Sequence, residues 1–141
     1  MKPQVRIQRA SRASHIPTDA RLRRFARAAL RRDASVTLRF VASAEARRLN
    51  HAFRGKDYAT NVLTFVYEAA PLSGDIVLCA PVVAREAREQ KKDVLAHYAH
   101  LVVHGLLHLQ GFDHEADREA VRMEREERRI LRGLGFPDPY A

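Results

Sequence analysis

The segment from His104 to His114, HGLLHLQGFDH, sets three histidines in eleven residues, four and then six positions apart. On an α-helix, residues four apart are offset by about 40° and stand one turn above one another, roughly 6 Å between side chains. His104 and His108 therefore project from one face and can chelate a single ion. Gly111, three residues after His108, can adopt the left-handed conformation that ends a helix and reverses the chain, returning His114 to the same point as a third ligand. Three neutral imidazoles suit zinc and leave a fourth position open, the mark of a catalytic rather than a structural site. The expectation is one zinc ion per chain, held by His104, His108 and His114.

The same glycine-hinged spacing is the ligand pattern of metzincin metallopeptidases, in which a glutamate directly after the first histidine acts as general base. Here that position is Gly105. A glycine in mid-helix costs on the order of 1 kcal/mol against alanine, and it removes the carboxylate that would activate water against an amide. Gly105 either leaves open floor beside the metal for a bulky substrate or lets this helix pack closely on another. His97 and His100 continue the histidine face upstream. His100 is a candidate to replace a ligand or to support one from behind, and His97 to line the core or meet solvent. Asp113 is a candidate for orienting a ligand histidine or shuttling a proton, and equally for a turn aspartate.

The elements that must position these residues follow from periodicity. Val5 and Ile7 alternate with polar neighbours in a short edge strand. Thr18 caps a helix over DARLRRFARAALRRD, with Leu22, Phe25, Ala26, Ala29 and Leu30 on one face and arginines on the other. SVTLRFVA at 35–42 alternates Val36, Leu38 and Phe40 against Thr37, Arg39 and Val41, a strand with one buried face. Ser43 caps a short helix, and the polar loop 54–61 leads into the strand VLTFVY. PLSG makes a turn before DIVLCA, so 62–67 and 75–80 read as sequential strands that can pair. Pro81 opens a helix, a second begins near Val94 and is stopped by Gly111, and a last runs from about Glu115 to Arg132. No repeat or composition break divides the chain, and the expectation is one α+β domain over residues 1–141: a small mixed sheet, several helices and a metzincin-like metal-binding helix.

Charge narrows the partners. With 25 Lys+Arg against 17 Asp+Glu, the net charge of +8 favours polyanions such as nucleic acid or an anionic membrane. Cys79 is the lone cysteine, so no intramolecular disulfide can form, and no window approaches the roughly twenty apolar residues of a membrane span. A soluble cytoplasmic protein with no membrane partner is expected.

Three blocks carry a family likeness. LNHAFRGKDYATNVLTF at 49–65, GDIVLC at 74–79 and HLVVHGLLHLQGFDH at 100–114 together resemble the YbeY family of bacterial endoribonucleases and ribosomal RNA maturation factors. The helix with Met123, Glu127, Ile130 and Leu131 before Gly133 and Gly135 is similar to that family's C-terminal helix. Thr64 and Phe112 depart from its commoner serine and tyrosine, and the first forty residues carry little of its signature. The resemblance implies a zinc site at His104, His108 and His114 and a functional arginine at Arg54. It also implies cleavage of single-stranded RNA in the maturation of small-subunit ribosomal RNA and in ribosome quality control. Arginine offers phosphate a bidentate, permanently charged donor, and Lys56 adds to the field as a candidate RNA contact. Zinc would lower the pKa of a bound water, or polarise a phosphoryl oxygen while a ribose hydroxyl attacks; the sequence leaves both open. The competing readings are a ribosome-assembly factor with a mainly structural zinc and, against the missing glutamate, a metallopeptidase or amidohydrolase.

Overall fold

The computed structural model describes residues 3–113 and 115–141. Four strands form one mixed sheet: β1 (Gln4–Arg9), β2 (Ala34–Val41), β3 (Val62–Ala69) and β4 (Leu72–Cys79), in the order β1-β2-β4-β3. β1 and β4 both run parallel to β2, whereas β3 returns antiparallel on β4 as the outer strand, with a register irregularity between Val66 and Glu68. The reversal falls at Ala70 and Pro71, so Leu72 to Gly74, expected in a turn, already belong to β4.

Five helices cover the sheet: α1 (Asp19–Ala29), α2 (Ser43–Arg54), α3 (Ala80–Glu89), α4 (Val94–Leu109) and α5 (Asp117–Gly133). α1 starts at its expected cap, where the Thr18 hydroxyl accepts from the Arg21 amide at 3.3 Å, and it buries Leu22, Phe25, Ala26 and Ala29. Ser43 is instead the first residue of α2, after an Ala42 cap that offers no side-chain bond. The main core joins α1, α4 and α5 to Val36, Leu38, Phe40, Ile76 and Leu78. A smaller one lies on the opposite face, where Val41, Val77 and Cys79 meet Ala46 of α2 and Val82 of α3. Val41 therefore departs from the one-sided pattern expected of its strand. A parallel strand covered on both faces reads as a continuous apolar run, as Ile76 to Cys79 does.

α4 is buried on nearly every side and packs onto β4 at one close point. A methyl group added at Gly105 would lie 3.0 Å from Ile76 Cδ1 and 3.2 Å from its Cγ2. Gly105 thus serves helix-to-sheet contact, which replaces the two roles expected for it, open floor beside a metal and packing against another helix. Gly74 has a parallel reason: a Cβ there would sit 2.4 Å from the Phe65 carbonyl oxygen on the neighbouring strand. Among the described residues no helix is long and apolar enough to cross a membrane.

Candidate metal centre

Successive turns of α4 present His97, His100, His104 and His108. His97 lines the core: it is 5% exposed, and its Nε2 lies 2.9 Å from Glu86 Oε1 on α3. Burial depresses its pKa, and the Glu86 carboxylate offsets part of that. The next two rings converge on Glu127 of α5, which has no exposure. Its Oε1 lies 3.3 Å from His100 Nε2 and 3.0 Å from His104 Nδ1. From the C-terminal tail the Tyr140 hydroxyl donates to both Glu127 oxygens, at 2.8 and 2.7 Å. Burial alone would raise the Glu127 pKa, but the bonds from His100, His104 and Tyr140 outweigh it and hold the carboxyl at about 2. Glu127 stays ionised in the core because donors surround it.

The ligand atoms of His100, His104 and Glu127 all lie within 4.8 Å of one another, a grouping that could hold a metal ion. Hydrogen bonding separates the members of this group. An ionised carboxylate and a carbonyl only accept, so the ring nitrogen facing each must carry the proton. His104 donates Nδ1–H to Glu127, and His108 donates Nδ1–H to the Phe112 carbonyl at 3.0 Å. In both rings the lone pair then resides on Nε2, on helix positions one turn apart. His100 is the opposite tautomer: it turns Nε2–H toward Glu127, and its Nδ1 is buried without a hydrogen-bond partner. Histidine ligands characteristically give their second nitrogen to a carboxylate or carbonyl in this way.

The hinge behaves as its glycine requires. Gly111 has φ of 101°, its amide donates to the His108 carbonyl at 3.1 Å, and the Phe112 amide donates to Leu107 at 3.1 Å. This reversal is what carries the Phe112 carbonyl back to His108. Asp113 Oδ1 accepts from the Glu115 amide at 3.3 Å, a turn contact. His114, the expected third ligand, lies outside the described residues.

Arg54 is the last residue of α2 and Lys56 lies just beyond it, both exposed. Gly55, at φ 69°, ends the helix between them. The loop is pinned by a two-pronged Arg47–Asp57 pair at 2.7 and 3.0 Å and by the buried Asn50, whose amide donates to the Tyr58 carbonyl at 2.8 Å. None of the described contacts joins Arg54 or Lys56 to the histidines, so the two halves of the expected site stand on separate elements. Glu127 and Tyr140 were not among the expected site residues. The signal for Glu127 was present: with Met123, Ile130 and Leu131 it falls on the apolar stripe of its helix, and a carboxylate there needs a buried partner. Tyr140 offered no comparable pattern.

The profile of the family described as "Endoribonuclease YbeY" matches residues 7–135. The chain belongs to the YbeY family. A YbeY relative from Aromatoleum aromaticum is 63% identical over 139 residues, an alignment covering 96% of this chain and 90% of the relative. One from Nitrosomonas eutropha is 54% identical over 135 residues, covering 95% and 96% respectively. Both bear the name endoribonuclease YbeY. The solution structure of a Thermotoga maritima protein is similar at TM-score 0.62 and 25% identity, over 94% of this chain and 92% of that one. The three blocks quoted from the sequence thus sit inside a family match that also takes in most of the N-terminal region, where the motifs were silent.

Proposed function

We propose that this chain is a metal-dependent endoribonuclease that cleaves single-stranded RNA in the maturation of small-subunit ribosomal RNA, acting in the cytoplasm as one domain over residues 1–141. The observation that carries the reading is the shared tautomer of His104 and His108, which supplies two Nε2 donors from one rigid face. His114 is the third ligand in this reading, and one zinc ion suits three neutral imidazoles. Glu127 and His100 then serve behind the ligands: Glu127 fixes the His104 ring, and His100 helps hold Glu127. The bound ion would supply a Lewis acid for a phosphodiester.

The remaining roles belong to the chain's own side chains. Arg54, a permanent cation at the end of α2, binds the phosphate and balances charge as it builds on the phosphoryl oxygens. Lys56 adds a second cation on the same loop. The ligand spacing is metzincin-like, but Gly105, in the general-base position, is committed to contact with Ile76, which weighs against peptidase chemistry.

The test is cleavage of a single-stranded ribosomal RNA fragment by protein purified free of other nucleases, with a His108→Ala variant purified in parallel. The expected result is about one zinc ion per chain in the wild type, with zinc content and cleavage both sharply reduced in the variant. Undiminished zinc would reject His108 as a ligand. Equal cleavage by both proteins would assign the activity to a contaminant and leave an assembly factor with a structural metal.

A further inference from the structure

On its outer face α5 carries Arg118, Arg122, Arg125, Arg129 and Arg132, spaced four, three, four and three residues apart, and all five are exposed. At about 100° per residue these side chains fall within roughly 40° of one line along the helix. That line lies opposite the buried stripe of Met123, Glu127 and Ile130. Val121, 57% exposed, and Gly133 border it at about 60°, one on each side. The acidic residues of the helix stand on its flanks, where Glu126 takes Arg31 and Arg129, and Glu124 takes Arg128. Arg118, Arg125 and Arg132 make no direct ion pair among the described residues. The stripe extends about 21 Å at the helical rise, and two adjoining hollows along it share Val121 and Arg125.

At one end the stripe meets the loop that leaves the metal motif. The Arg122 guanidinium lies 5.2 Å from the centre of the Phe112 ring, and Arg31 lies 5.8 Å from the same ring. We infer that this face of α5 is an exosite for the phosphate backbone of the RNA substrate, holding a stretch of strand beyond the segment presented to the metal centre. The inference rests on the ribonuclease reading. A protein partner is the poorer fit, because arginines at the centre of a protein interface stand among aromatic and apolar side chains, whereas this line carries no aromatic residue and is bordered by a single exposed valine. A repeating polyanion matches a repeating row of bidentate cations.

The experiment uses the full, metal-loaded chain and a triple variant, Arg118→Gln, Arg125→Gln and Arg132→Gln, with a triple lysine variant as control. Binding is measured across a salt series with 2′-O-methyl oligoribonucleotides of about 6 and about 25 nucleotides, one near the lower end of typical single-strand sites and one beyond their upper end. Cleavage is followed on an unmodified strand of the shorter length. Each phosphate neutralised on a single strand contributes about 0.7 to the salt slope, so the glutamine variant should flatten the long-strand slope by about 2. It should bind that strand at least tenfold more weakly, while affinity for the short strand and its cleavage stay within about twofold. The lysine variant should keep the slope. Unchanged long-strand affinity and slope in the glutamine variant would overturn the exosite, and an acidic protein partner would then be the better candidate for the stripe. Equal losses on short and long strands would overturn it too, by placing the arginines in the cleavage site itself. If the long-strand effect appears but neither protein cleaves RNA, the ribonuclease reading fails and the exosite with it, and the face is left as the strand-binding surface of an assembly factor.

Discussion

His104 hangs from a helix buried on nearly every side, and its ring is gripped by a carboxylate with no exposure at all. Arg54 stands in solvent on the last turn of α2, and what holds its loop is a glycine cap, one buried asparagine and a surface ion pair. Metal coordination tolerates little error in direction, so its donors are fixed by packing and by hydrogen bonds from behind. In the role proposed for Arg54, a phosphate contact works through charge and demands less exact direction. The contrast predicts that mutations in the histidine half act through stability and metal content, whereas those in the Arg54 half act on the substrate alone.

The largest effect should come from Glu127→Ala. It leaves the donors of His100, His104 and Tyr140 facing an empty pocket, and each buried donor left unpaired in this way costs about 1–3 kcal/mol. Urea unfolding measures the loss, and zinc content should fall with it. A variant with full stability and full zinc would dissolve the contrast between the two halves.

Next is Gly105→Val, which drives a branched side chain into Ile76 and should cost about 1–3 kcal/mol. Adding Ile76→Ala should return part of that loss, because the two sites share one contact and their effects cannot add. Simple additivity in the unfolding data would mean that the strain lies elsewhere. Tyr140→Phe removes only one hydroxyl from a charged acceptor, about 1.5 kcal/mol, with a modest fall in zinc affinity by competition against a chelator. An unaltered zinc affinity would detach the C-terminal tail from the metal centre.

Arg54→Glu should be the mildest for folding, about 0.5 kcal/mol, with zinc content unchanged. Its cost appears in RNA cleavage, expected to fall at least tenfold, or about 1.4 kcal/mol of barrier. A folded, zinc-loaded Arg54→Glu protein that cuts as fast as the wild type would be evidence that Arg54 is outside the site.

Local periodicity made part of this legible. The shared face of His104 and His108, the Thr18 cap and the glycine stop at Gly111 depend on residues within one or two turns of each other, and each stands where the pattern put it. Contacts between distant segments were less legible. That β4 inserts between β2 and β3, and that Gly105 needs its missing side chain because of Ile76, are matters of cross-element register that no short window contains. Glu127 is intermediate. Its place on an apolar stripe marked it as anomalous, but only the crossing of α5 over α4 shows which histidines resolve the anomaly.

The irregular pairing between Val66 and Glu68 bears on how the chain behaves in a crowded solution. β3 is an outer strand, and Val66 and Tyr67 stand 51% and 64% exposed along it. A straight outer strand with such residues is a template on which a second molecule can continue the sheet. The extra residue bends and twists the strand at that point, so a visiting strand finds its donors and acceptors out of step. Deleting Tyr67, the residue without a register partner on β4, is expected to straighten this edge and to let molecules associate through it as concentration rises, which sedimentation of the variant would show.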